Sequence, residues 1–433
     1  MDGALQLWQA LLAVTAAVFT RPSFELFGQI ATGWILCPGR RTITGMLPSA
    51  DPAGKHPHDA FHRFFRDGAW KTPAFWRHQS VPLIKQYCPA GTTVLLLVDD
   101  SIIHKSGRHV QDADVFRDPV RSTVRKIVYA FGLNVVLLCV CVRVPGRNQP
   151  VALPVNTRIY LKSGPSHLML TALMVQELAT WLPEHHFHLV GDGAYASLAK
   201  LDLPRTIVTS RLRRNAALFD LPPARLPGQR GRPRLKGPRL PSLARIAATA
   251  APDQWQRTRV RLRDRTVDRL LLTRVVLWYQ VTGALPIQVV IIRDPATHEH
   301  DDYFFTTDIQ AEPAAVVAAY ADRWSIEVTF REVKQHLTPQ HPQSWRRRGP
   351  SRNVTLGFWL YSTVWLWFLQ AGGDQPAWPH RPWYTRKRSP SFADALAALR
   401  AALWRERFSA AIPVAPEFAK MADTAIAALA RAG

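Results

Sequence analysis

Val354 to Gly372 is a run of 19 residues without a charged side chain, preceded by Arg346, Arg347, Arg348 and Arg352. A segment of this kind either crosses a membrane or lies at the centre of a large core. The basic flank fits the first alternative. Tyr361, Ser362, Thr363 and three tryptophans inside the run, with no second comparable run in the chain, favour the second. A buried helix and no membrane association are therefore expected. The chain has 433 residues, 47% of them hydrophobic, enough for a large core and for about two to three domains.

The charge balance narrows the partners. Fifty-five Lys and Arg against 32 Asp and Glu leave +23, a field that favours a polyanion; general surface basicity is the other reading. Cys37, Cys88, Cys139 and Cys141 form no C-x-x-C pair, which argues against a zinc or redox site and points to a reducing, cytoplasmic setting. Met1 to Phe19 is apolar but opens on Met1 and Asp2 rather than a basic stretch, so a signal peptide is not expected.

Along the chain, residues 1–90 read as helical, with Phe61, Phe64, Phe65, Trp70, Phe75 and Trp76 interleaved with Arg63, Arg66, Lys71 and Arg77. That pattern suits a helical DNA-binding module, and equally a helical core with a solvated basic face. The run TTVLLLV at Thr92 to Val98 predicts a buried strand ending at Asp99 and Asp100. Ile127 to Val144 and Val151 to Leu161 read as further strands, His167 to Leu182 as a helix, and Phe187 to Val190 as a strand before Gly191, Asp192 and Gly193.

Leu212 to Ser242 turns to Arg, Pro and Gly, including GQRGRPRLKGPRLP. It reads as a flexible basic loop for phosphates, with Arg230, Arg232, Arg234, Lys236 and Arg239 as contacts, or as a plain linker. Val260 to Leu262, Leu270 to Tyr279, Ile287 to Ile292 and Tyr303 to Thr306 predict a β-rich segment. Ala311 to Leu337, Ala393 to Trp404 and Phe418 to Ala432 predict helices. The resulting division is 1–90 (helical, DNA-binding), 91–216 (first part of an α/β core), 217–304 (basic loop and β-rich insertion), 305–375 (second part of the core) and 376–433 (helical).

Asp99 or Asp100 and Asp192 stand at the ends of predicted strands, the edge where open α/β sheets gather ligands; a turn-forming role is the alternative for each. On the helix from Ala311, Tyr320, Arg323, Glu327 and Lys334 are spaced to fall within roughly 60° of one another, at about 100° per residue. Asp322 and Glu332 point elsewhere by the same rule. A solvated face with an Arg323–Glu327 pair is the alternative. His185, His186 and His188, and His298 with His300, Asp301 and Asp302, lack a matched half at zinc-finger spacing and are expected on surface loops.

The spacing within YADRWSIEVTFREVK, Tyr320 to Lys334, resembles the YREK signature of the bacterial insertion-sequence transposases of the IS4 and IS701 groups. LVDDS at Leu97 to Ser101 resembles their first-aspartate motif and VGDGAY at Val190 to Tyr195 their second; GRPRLKG at Gly231 to Gly237 is similar to a stretch of the IS701-like members. The resemblance runs from about Phe61 to about Leu369. It implies an RNase H-like α/β fold with a β-rich insertion between the second aspartate and the glutamate, and a DNA transposase that cuts transposon ends and joins them to a target.

Its metal-binding carboxylates would be Asp100, Asp192 and Glu327. Asp100 is preferred to Asp99 because in these families the acidic residue directly before Thr or Ser tends to be the ligand; Asp99 then orients the site. Two Mg²⁺, with Mn²⁺ as substitute, suit hard oxygen ligands and a reaction that places charge on both the attacking and the leaving oxygen. Arg323 and Lys334 would grip phosphates and Tyr320 a terminal phosphate. The implied partners are double-stranded DNA, as terminal inverted repeats and target, and a second copy of the chain in a homodimer. Related members cut through a hairpin with an extruded base on an aromatic; Tyr303 and Phe304 are positioned for that role but read better as core.

Overall fold

A computed structural model of the chain describes residues 2–432 apart from 108, 119, 225–230, 297–298, 373–377, 379–384, 386 and 412–415. Five helices come first: α1 (Asp2–Ala13), α2 (Arg21–Leu36), α3 (Ile43–Ala50), α4 (His58–Arg66) and α5 (Thr72–Tyr87). The sheet begins with β1 (Thr93–His104), β2 (Asp114–Arg117), β3 (Tyr129–Val142) and β4 (Val151–Tyr160). Helix α6 (His167–Trp181), β5 (His186–Val190) and β6 (Thr206–Arg211) follow. Next are α7 (Leu243–Thr249), β7 (Gln256–Leu262), β8 (Arg265–Leu277), α8 (Tyr279–Thr282), β9 (Pro286–Arg293) and β10 (Asp302–Thr306). The chain closes with α9 (Pro313–Asp322), α10 (Trp324–Glu332), a π-helical turn (Val333–Leu337), α11 (Gly349–Gly372), α12 (Phe392–Ala411) and α13 (Pro416–Leu429).

The ten strands of the described residues join one mixed sheet in the order β2-β3-β1-β5-β6-β10-β9-β8-β7, with β4 on the same edge of β3 as β2. The three central strands β1, β5 and β6 are parallel, and the other pairings are antiparallel. This mixed α/β arrangement is consistent with an RNase H-like fold. The strands of 217–304 extend that sheet edge to edge, because β10 pairs with β6. Beneath them Val260, Leu271, Val290, Ile292 and Phe304 form a small second core with Val316 and Val317 of α9.

Three expectations change. Asp99 and Asp100 lie inside β1 rather than beyond it, paired with Leu137 and Val136 of β3. Acidic residues are depleted in strands, so the pair reads as a stop, but Ile102 and Ile103 carry the strand on to His104. The single helix expected over Ala311 to Leu337 is broken at Arg323, whose N–H bonds back to Tyr320 at 3.2 Å, and its last turn widens to a π-helix. The basic segment 212–242 is not wholly unpacked. Leu212 and Leu218 are buried, and Phe219 bridges to both Arg239 and Leu277, so apolar pegs fix the base of the loop.

The 19-residue uncharged run lies within α11, which is buried from Arg352 to Leu369. Among the described residues no helix is long and apolar enough to cross a membrane. The helix is instead wrapped by α1, α4, α5, α12 and β4, and its polar side chains find partners in them. Gln79 donates to Thr363 Oγ1 at 2.8 Å, and Ser362 donates to the Pro154 carbonyl at 2.9 Å. The aromatic cluster of the first 90 residues belongs to this same core, with Arg63, Lys71 and Arg77 outside it.

Arg352 is the charged residue this core depends on. It is 1% exposed, lies over the Trp70 ring at 4.2 Å and donates to the carbonyls of Phe65, Gly68 and Trp70 at 2.9, 2.7 and 2.5 Å. Burial lowers its pKa to about 10. It thus satisfies the chain leaving α4, whose carbonyls would otherwise be orphaned. Arg352→Ala should cost several kcal/mol, because it leaves buried carbonyls unsatisfied at about 1–3 kcal/mol each, with Arg352→Lys recovering only part because an ammonium lacks the planar fork. Thermal unfolding measures this; a Tm within about one degree of wild type for Arg352→Ala would remove Arg352 from the account.

Candidate active site

The site forms where β1 outruns its parallel neighbour. β5 pairs with β1 only as far as Val190 opposite Leu97, so beyond Leu97 the β5 flank of β1 is uncovered. The chain leaving β5 turns at Gly191, where a side chain would meet Tyr195 Cβ at 2.6 Å. Glycine here lets Tyr195 fold back against Val98. Asp192 is held at the turn, with its Oδ1 accepting the Ala194 N–H at 2.9 Å and its carbonyl accepting Ser210 Oγ at 2.6 Å.

Successive strand residues face opposite sides of a sheet, and the two aspartates of β1 divide accordingly. Asp99 faces α10: Arg323 Nη1 lies 3.1 Å from its Oδ2, while Arg323 Nη2 lies 2.7 Å from Glu327 Oε1. One guanidinium therefore spans the strand carboxylate and the helix carboxylate. Ser101, on the same side, accepts Lys334 Nζ at 2.7 Å. Asp100 faces the other way, accepting the Tyr195 hydroxyl at 3.0 Å, with His167 Nε2 at 3.7 Å. It opens onto a cleft of about 570 Å³ lined also by Ser101, Arg117, Arg121 and Lys334.

Electrostatics binds these groups into one site. Burial pushes the Asp99 carboxyl up to about 7 against the pull of Arg323, and the charges of Asp100 and Asp192 add to the rise. Burial and the Asp100 carboxylate hold the Tyr195 hydroxyl well above its usual range. Tyr320 is raised by burial, against Arg323; its ring packs on Phe304 at 4.5 Å and lies 5.5 Å from the Arg323 guanidinium. Burial lowers Lys334.

The structure thus brings Asp99, Arg323 and Glu327 into direct contact, with Asp100 and Asp192 near enough to raise Asp99. Among the described residues no three His, Cys, Asp or Glu side chains are gathered at metal-binding spacing. The donors are nonetheless the hard oxygens that divalent ions take, and the cation now set between Asp99 and Glu327 is Arg323. Arg232, Arg234 and Arg239 are exposed. Lys236 sits 4.1 Å from the Phe219 ring and 4.8 Å from the Tyr279 ring, and Arg230 lies outside the described residues. Tyr303 and Phe304 are buried. His185 and His188 are not on a surface loop: His185 is wholly buried against the Cys88 carbonyl at 3.0 Å, and His188 lies in β5 against Thr209 at 2.8 Å. The strand's early start at His186 draws them inward. His298 lies outside the described residues.

Sequence reasoning gave no role to Tyr195, Ser101, His167 or the support beneath Arg323. Tyr195 was visible as the last residue of VGDGAY, but nothing in its spacing names Asp100 as its partner. The support is Asp322, 4% exposed. Its carboxylate takes both Arg261 amino groups at 3.0 and 2.9 Å, and Arg143 at 2.7 Å. Arg261 belongs to β7, so the junction that aims Arg323 is tied to the far end of the sheet.

Comparison with known proteins adds one finding. The family described as DDE superfamily endonuclease matches residues 17–269, more than half of the chain. The match contains both aspartate motifs and stops short of Glu327. No curated protein matches the chain.

Asp322→Ala should destabilise the fold, by less than the roughly 3–5 kcal/mol of a fully buried pair, because both arginines are partly solvated. Arg261→Ala should cost more than Arg143→Ala, since a two-pronged contact is lost against a single one. Denaturant unfolding of the three variants checks the order; equal stabilities would contradict it.

Proposed function

Because the chain belongs to the DDE superfamily endonucleases, we propose that it is a DNA transposase of the IS4/IS701 insertion-sequence kind, cutting transposon ends and joining them to target DNA. The observation that carries this is the meeting of Asp99 with Glu327 across Arg323 at the uncovered flank of β1, with Asp100 and Asp192 close enough to act on Asp99. Asp100, Asp192 and Glu327 are the residues that would hold Mg²⁺, or Mn²⁺ in its place. Asp100 is favoured over Asp99 because, among the described residues, its hydrogen-bond donor is a neutral hydroxyl, with His167 at 3.7 Å, whereas Asp99 is taken by Arg323 and by the Asp100 N–H at 2.9 Å. When bound, a pair of such ions stabilises charge on the attacking and leaving oxygens of a phosphodiester.

The protein's own residues then have separate tasks. Asp99 would keep Arg323 in place, and Glu327 would be the helix carboxylate that holds the metal, which would leave guanidinium donors for a phosphate. Lys334, anchored through Ser101, sets a second cation beside the strand that carries Asp100. Tyr195 fixes the Asp100 carboxylate, and the Tyr320 hydroxyl is placed for a terminal phosphate. Water or a DNA 3′-hydroxyl attacks directly, with no side-chain nucleophile. The exposed Arg232, Arg234 and Arg239 bind duplex backbone, with Lys236 held beside them. Two copies of the chain pair the two ends, on the DNA of a bacterial cytoplasm.

The test is incubation of the full chain with Mg²⁺ and a plasmid carrying the DNA that flanks its coding region. Asp100→Ala, Asp192→Ala and Glu327→Ala should each lose cleavage by at least about 10²-fold while retaining binding of the ends. Full cleavage by Asp100→Ala would move the ligand to Asp99; cleavage without joining would leave a nuclease. In the same time course Arg323→Ala and Lys334→Ala should accumulate nicked DNA. Arg331→Ala, about 40° round the helix from Glu327, should stay close to wild type, and equal behaviour of all three would count against the shared face.

A further inference from the structure

The loop that joins β2 to β3, residues 118–128, forms one wall of the cleft onto which Asp100 opens and plays no part in the chemistry above. It combines two features that conflict unless something covers it. Its shape is fixed from within. Asp118, 5% exposed, accepts the N–H groups of Val120 and Arg121 at 3.0 and 3.2 Å. Ser122 Oγ accepts the Val128 N–H at 3.0 Å, and Thr123 bonds to Lys126. Yet this fixed shape turns apolar side chains to solvent. Val120 is 87% and Val124 fully exposed, and Val115, Ile127 and Tyr129 of the same β2–β3 segment are exposed as well.

Several large apolar side chains held outward on one fixed segment mark a contact surface, and the surrounding charge says with what. Arg117, Arg121, Arg125 and Lys126 are exposed around it, whereas the loop's own carboxylate, Asp118, is turned inward. A second copy of a chain of +23 would meet this basic rim with like charge. A polyanion with apolar faces between its charges fits both halves. Duplex DNA is such a partner, and proteins that enter it set apolar side chains between base steps with cations on the flanking phosphates.

We propose that Arg117 and the described residues of the loop after it, 118 and 120–128, form a DNA-engaging finger: Arg117, Arg121 and Arg125 take phosphates leading away from Asp100, and Val120 and Val124 enter the duplex beside the cut. This rests on the reading of the chain as an enzyme of duplex DNA and adds where the substrate lies and what bends it.

The experiment uses the full chain and a radiolabelled duplex of its flanking DNA. Val124→Cys carrying a thiol-attached photocrosslinker should crosslink to the duplex several-fold more than Met421→Cys, an exposed position on α13, or than wild type treated alike. Arg117→Ala and Arg125→Ala should each reduce the slope of log affinity against log salt by about 0.9, with thermal stability unchanged because both are at the surface. Crosslinking of Val124→Cys no better than Met421→Cys, while wild type binds and cuts the duplex, would overturn the finger and leave the enzyme reading intact. A wild-type chain that fails to bind the duplex would overturn both. A Val124→Asp variant that changes the sedimentation of the free protein but not its DNA binding would make the patch a chain-to-chain contact and overturn the proposal.

Discussion

The Arg323 guanidinium, held between Asp99 and Glu327, is the contact on which the site depends. It joins a strand near the start of the chain's α/β core to a helix 224 residues later, in a place dry enough to push the Asp99 carboxyl up to about 7. Carboxylates crowded together without a cation would repel and resist burial. A positive side chain among them lets the site exist folded. The same geometry explains why α9 and α10 are two helices: Arg323 sits at the break between them, and Asp322 beside it is clamped from β3's end and from β7.

Sheet topology supplies the rest. Because β5 stops opposite Leu97 while β3 escorts β1 to His104, β1 has one covered and one open flank at its acidic residues. Catalysis needs such a place, since side chains there are positioned by a strand yet reachable by a ligand. The packing behind it is rigid. The uncharged α11 fills the centre of the helical layer, and Arg352 closes the polar ends left by α4. The active-site groups stand on elements whose own polar demands are met elsewhere.

Much of this was legible in the chain, for physical reasons that differ by element. β3 carries a long apolar run, as a strand buried on both faces must, and α11 announces itself by length without charge. The helix arithmetic placed Glu327 and Arg323 together because four residues make about one turn. What escaped lies between elements. The pairing that carries β1 past its aspartates is set by β3, the fold-back of Tyr195 by a glycine turn, and the clamp on Asp322 by strands joined late in the sheet. None leaves a period in the sequence. The β2 strand is four residues long, too short for alternation to identify. The two adjacent aspartates show the limit best: their order in the chain left open which is the ligand, and only the pleat of β1 sends one toward Glu327 and the other toward Tyr195.

The account's central claim is that Asp100, Asp192 and Glu327 would hold divalent ions, with Arg323 remaining on Asp99. The most direct measurement is anomalous scattering from Mn²⁺ in crystals of the full chain bound to a duplex of its flanking DNA. The account predicts Mn²⁺ on Asp100, Asp192 and Glu327, with Arg323 still on Asp99 and off Glu327. Mn²⁺ bound elsewhere, or an Arg323–Glu327 pair intact in the metal-loaded complex, would contradict it.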